Sequence, residues 1–212
     1  DRPSFNPLKM LNLLLTDRRY GFFMLCQFLI GVGNLMLIPV LVVVVKEVFD
    51  LDYFRSMLVT HVIPILTMPL IVTQWAKLLD RWHIATYRAL HSWLFVIMAL
   101  LIFASVRAEA VWILYGAVVV RGVAFAGGAL AWNLGHNDFA RDDNAAQYMA
   151  VHVTLTGIRG LAASFVGVGL YEWFERVRPG AGAWVFLIGA AVVAVGAVGF
   201  FMLHRVVTRE KV

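Results

Sequence analysis

Two arginines fall where a charge is costly. Arg121 and Arg159 each sit in the middle of a long apolar stretch. At about 1.5 Å of helix rise per residue, Arg121 lies roughly 15 Å from the outer end of its stretch and Arg159 roughly 20 Å from the inner end of its own. Neither reaches a headgroup by snorkelling. An ionised side chain at that depth costs about 2.5–3.5 kcal/mol on an insertion scale. Each is therefore expected to face a bundle interior or a water-filled cavity. No Asp or Glu lies deep in any of the apolar stretches. The compensating group must be a neutral polar side chain, water, an anionic ligand or a carboxylate from elsewhere in a complex. A place in a solute cavity and a purely structural hydrogen-bonding role are both open for each arginine.

Gln27, Asn34, Gln74, Asn133 and His152 are the other polar residues inside apolar stretches. Asn34 follows Gly31 and Gly33 and precedes Pro39, a combination suited to an irregular helix at a site. Asn133 and Asn137 are four residues apart and share a helical face. Interhelical glue is the commoner role for such residues, and solute contact the sharper one. The candidates for a solute cavity are Arg159, Arg121, Asn34, Asn133, His152 and Gln27. The histidines at 61, 83, 91, 136, 152 and 204 are scattered, with no ligand-spaced motif, so no metal or other cofactor is expected. No phosphate loop, nucleophile elbow or zinc-protease motif is present, and enzymatic activity is not expected. Cys26, the single cysteine, cannot form an intramolecular disulfide.

The elements that must carry these residues follow from the grouping of the apolar side chains. The chain has 212 residues, 61% of them hydrophobic and 15% charged. A soluble domain is nearer about 45–50% apolar and about 25% charged. A hydrocarbon core of about 30 Å needs roughly 20 helical residues to cross it. Six stretches meet that length, at about 20–45, 57–76, 86–106, 111–134, 145–171 and 182–203. The predicted fold is an all-α integral membrane bundle of six transmembrane helices. It is flanked by a leader or linker at 1–19 and a tail at 204–212, both cytoplasmic. Leu8 to Leu15 is too short to span and suits either an interfacial segment or a linker. Pro39, Pro64 and Pro69 predict bends, which a bundle tolerates because neighbours re-satisfy the freed carbonyls. Small residues at helical spacing, such as Gly127, Ala131 and Gly135, predict close helix packing.

The net charge of +5 does not imply a nucleic-acid partner, because the basic residues gather at span ends, facing the lipid bilayer. Eleven lysines and arginines fall on one side: Arg2, Lys9, Arg18, Arg19, Lys77, Arg81, Arg88, Arg141, Arg205, Arg209 and Lys211. Five fall on the other: Lys46, Arg55, Arg107, Arg176 and Arg178. The richer side is expected to be cytoplasmic and to hold both termini. The chain begins at Asp1 with no cleavable leader pattern, so its start is expected to be a cut edge, left by processing or by division from a longer polypeptide.

Within this layout, QWAKLLDRWHIATYRA (Gln74 to Ala89) resembles the loop between the second and third helices of each half of the major facilitator superfamily of secondary transporters. Asp80 and Arg81 match that loop's acid–base pair, and Arg88 its trailing base; Trp75 or Ala76 stands where the family usually has glycine. The stretch from Trp132 to Gly167 is similar to the fourth-to-fifth helix region of some bacterial members. The basic leader before Tyr20 resembles the entry into a seventh helix.

The resemblance implies one six-helix half of a twelve-helix fold, by that leader the carboxy-terminal one, in a bacterial inner membrane. It implies a second six-helix half as partner, in the same chain or in a second copy. It implies a small solute moved by alternating access at a midplane site, with Asp80, Arg81 and Arg88 gating the cytoplasmic side. Arg121 and Arg159 favour an anionic solute. The competing expectation is a non-transporting assembly or regulatory subunit of a larger membrane complex.

Overall fold

The computed structural model describes residues 7–140 and 144–209. Arg2, Arg141 and Lys211 lie outside them. All regular structure among the described residues is helical. Six helical segments among them are long and apolar enough to cross a membrane: Arg18–Glu47, Tyr53–Leu79, Ile84–Arg107, Val111–Leu134, Ala145–Val177 and Trp184–Arg209. Each expected span is present. The fifth and sixth run further than the hydropathy pattern indicates, to Val177 and Arg209, because helical hydrogen bonding continues past the apolar limit into residues that tolerate water.

Helix α1 (Pro7–Thr16) precedes the first span and packs on its start, so that a Cβ at Gly21 would strike the Leu14 carbonyl. Asp17 separates the two helices and caps the next, accepting from the Tyr20 N–H at 3.0 Å. The first span is α2 (Arg18–Leu35) followed by α3 (Leu37–Glu47), broken at Met36. The break comes three residues before Pro39, which then sits in the first turn of α3, where its missing N–H costs least. The second span opens with α4 (Tyr53–Met57), passes through a π-helical turn at Leu58–Val62, and continues as α5 (Ile63–Leu79). Pro64 sits in the first turn of α5 and Pro69 inside it. The third span is α6 (Ile84–His91) and α7 (Trp93–Arg107), and the fourth is α8 (Val111–Leu134). The fifth is α9 (Ala145–Val177) and the sixth α10 (Trp184–Arg209).

Packing follows a definite order of spans: fifth on first, first on sixth, sixth on third, third on fourth, fourth on second. The α2–α10 seam is close because Gly33 and Gly189 face each other; a Cβ on Gly33 would lie 2.7 Å from the Gly189 carbonyl oxygen. The second and fifth spans end the series and are the least covered. Only 17% of each one's most apolar stretch is buried, against 39% to 56% for the other four.

Candidate functional site

Gln27 on α2 is the focus of the polar interior. It is buried, and two guanidinium groups converge on it from different spans. Arg88 on α6 donates from Nη2 to the Gln27 side-chain oxygen at 2.6 Å. Arg159 on α9 donates from Nη1 to the Gln27 backbone oxygen, also at 2.6 Å. A carbonyl oxygen carries two lone pairs, so a helical carbonyl can accept a side-chain donor as well as its own ladder bond. Arg159 can approach this backbone because Gly31 offers no Cβ; one built there would collide with the guanidinium carbon. Arg88 is 2% exposed and Arg159 5%. Among the described residues no carboxylate forms an ion pair with either arginine. The Nε–H of each is buried without an acceptor among those residues.

His91, one turn beyond Arg88, is also fully buried. Arg88 Nη1 lies 3.1 Å from its Nδ1, and its Nε2 lies 2.8 Å from the Ala124 backbone oxygen. A guanidinium has only donors, so Nδ1 accepts and Nε2 carries the proton. The ring is thereby held neutral and braces Arg88 from behind. The face of Phe200 covers Arg88 from α10, 5.3 Å from its guanidinium carbon.

The two arginines, Gln27 and Asn34 are the polar lining of a cavity of about 220 Å³. The rest of the lining is largely apolar: Ile30 and Gly31 from the first span, Met68 from the second, Phe95 from the third, and Phe125, Gly128, Ala129 and Trp132 from the fourth. The Phe95 and Phe125 rings meet edge to face at 5.8 Å. Trp132 is fixed by its indole N–H, which donates to Thr156 on the fifth span at 3.1 Å. A larger groove of about 630 Å³ lies between the first and second spans. It is lined by residues such as Val42, Met57, Ile65 and Leu66, and His61 is the one imidazole beside it. No carboxylate, lysine or arginine lines it. Apolar walls open to lipid need no solute, so the smaller cavity is the stronger candidate.

The expected cavity residues therefore divide. Arg159, Gln27 and Asn34 line the cavity together. Arg121 does not. Its Nη1 donates to the Thr60 backbone oxygen at 3.1 Å, and its guanidinium lies over Phe125. Thr60 precedes Pro64 by four residues, and proline has no N–H to give that carbonyl. Arg121 thus gives a donor to a carbonyl that Pro64 denies its α-helical one. It shares with Asn34 only a gap of about 10 Å³, at or below the room one water needs. Asn133 is exposed and turns back to its own helix, donating to the Ala129 carbonyl at 2.8 Å. His152 is fully buried behind Trp132, outside the cavity lining, and neither ring nitrogen has a partner among the described residues.

The loop candidates divide as well. Asp80 and Arg81 lie at the end of α5, and neither forms an ion pair among the described residues. Arg88 is not a loop residue: α6 begins at Ile84 and carries it into the core. Its helical spacing signals this. Ile84, Tyr87, Arg88, His91 and Phe95 fall on one face, and all are buried. Reading Arg88 as a trailing loop base hides that stripe. The carboxylate that does organise this end is Asp138, which accepts from the Ile84 N–H at 2.5 Å.

No known family profile matches this chain, and neither the curated proteins nor the solved structures include a match to it.

Proposed function

We propose that the chain is the six-helix unit of a secondary transporter, moving a small anionic solute by alternating access. One observation carries the reading. Two guanidinium groups meet at Gln27 beside a cavity in an apolar bundle, and no carboxylate among the described residues neutralises them. A buried charge without a partner is strongly unfavourable. A bound anion would supply the missing charge to both arginines at once. The arginines come from the third and fifth spans and share only the first as common support. Alternating access would come from rocking of this unit against a second unit about that site.

The sparsely covered second and fifth spans fit a second six-helix unit as partner, in the same polypeptide or in a second copy, with both termini cytoplasmic in a bacterial inner membrane. The major facilitator arrangement is the architecture this reading adopts.

The test is uptake of radiolabelled anions and neutral solutes into proteoliposomes holding the full polypeptide, beside its Arg159→Gln and Arg88→Gln variants. Saturable anion uptake, lost in both variants, is the expected result. Absence of uptake across the panel, with protein folded by circular dichroism, would sink transport and leave the assembly or regulatory subunit.

A further inference from the structure

The lining of the cavity beside Gln27 mixes two chemistries, and the mixture specifies more than charge. The cationic groups and the amide are held together: Arg88 and Arg159 both bond Gln27, and Arg159 lies against Gly31. Phe95, Phe125 and Met68 contribute apolar side chains to the same lining. A solute with charge at both ends would have to bury its second charge against apolar side chains, since Arg121, over Phe125, bonds the Thr60 carbonyl and does not line the cavity. A solute with no apolar body would leave the rings facing water or void.

Volume narrows the body further. A dry apolar cavity of about 150 Å³ holds a benzene ring, so a cavity of about 220 Å³ takes one such ring with a carboxylate attached. The Phe95 and Phe125 rings, in edge-to-face contact with each other, make one continuous aromatic wall for a planar ring to lie against. The carboxylate, planar and with two oxygens, matches the guanidinium fork.

We propose that the site binds an aromatic monocarboxylate, with its carboxylate between Arg88 and Arg159 and its ring against Phe95 and Phe125. This rests on the anion reading above. Ala129 lines the cavity, so a longer side chain there reduces the volume open to the ring.

Titration calorimetry on the full polypeptide in lipid nanodiscs tests this with sodium benzoate, and with acetate, succinate and inorganic phosphate as competitors. Benzoate is expected to bind at least about tenfold more tightly than any of the three, because filling an apolar pocket is worth that much. Ala129→Leu should weaken benzoate by about tenfold or more while leaving acetate within a few-fold. Arg159→Gln should weaken benzoate and acetate alike.

Tighter binding of succinate or phosphate than of benzoate would overturn the aromatic monocarboxylate and keep the anion site. Benzoate binding undiminished in both Arg159→Gln and Ala129→Leu would place the ring elsewhere and overturn the proposal. No binding of any of the four anions to folded protein would remove the anion reading itself.

Discussion

Gly31 matters as much as the arginine it supports. A methyl group there would meet the Arg159 guanidinium, which is the mobile end of a flexible side chain, and not backbone. Gly31→Ala should therefore fold normally yet lose anion binding by about tenfold or more, since a shift of about 1 Å at a binding group has that scale of effect. Unchanged thermal unfolding with a raised Kd is the expected pair of results; an unchanged Kd would show that Arg159 does not need its present place. His136, in the segment after α8, is buried with Nδ1 unpartnered among the described residues, and burial holds its imidazole below the ordinary value of 6.5. The unfolded chain then binds the proton more readily than the folded one. Stability contributed by neutral His136 is present above about pH 6.5 and is lost as pH falls below it. Unfolding followed between about pH 7.5 and 5 should show that slope, and His136→Asn should flatten it.

At the scale of elements, the second span explains Arg121. Pro64, after the π turn at Leu58–Val62, denies the Thr60 carbonyl its α-helical donor, and Arg121 on α8 donates to it. Both π turns and prolines disturb a helix where a neighbour can compensate. Arg121→Met should cost about 1–3 kcal/mol of stability by leaving a buried carbonyl unsatisfied. The same change made on a Pro64→Ala background should cost clearly less, because alanine restores the backbone N–H that proline lacks. A double-mutant cycle measures the difference; equal costs in both backgrounds would detach Arg121 from the proline. Benzoate or other anion binding should be unchanged in Arg121→Met. The two mid-helix arginines thus look alike in sequence and differ in work. Depth in an apolar stretch is visible in the sequence. The identity of the carbonyl each arginine reaches depends on which spans are neighbours.

The whole bundle is held by close backbone approach along α2 and α10. Gly33→Val should drive a methyl group against the Gly189 backbone and destabilise the protein by about 1–3 kcal/mol or more. Gly157→Ala, inside α9 with nothing within 4 Å of the new methyl, should leave stability unchanged or raise it by up to about 1 kcal/mol. Thermal unfolding of both variants in detergent compares a seam glycine with a free one. Equal behaviour would mean that the seam is not where the bundle is tight.

The amino-acid sequence by itself determined that six helices are long and apolar enough to cross a membrane, where they begin and, for the first four, end to within a few residues, and that Arg121 and Arg159 must be compensated inside. These properties depend on the chain's local content: runs of apolar side chains, prolines and charges at fixed spacing. Only the tertiary structure decided that Arg88 joins Arg159 at Gln27, that Arg121 serves a proline-broken helix, and that Asn133 and His152 stand outside the cavity. Gln27 is 61 residues from Arg88 and 132 from Arg159. A helix presents a polar side chain in a direction fixed by its own turn, but whether that direction meets a partner, a cavity or lipid is set by the span packed against it. In an apolar medium many helix faces are nearly equivalent to lipid, so the order of the spans is chosen by small residues and a few polar contacts acting over long separations in sequence.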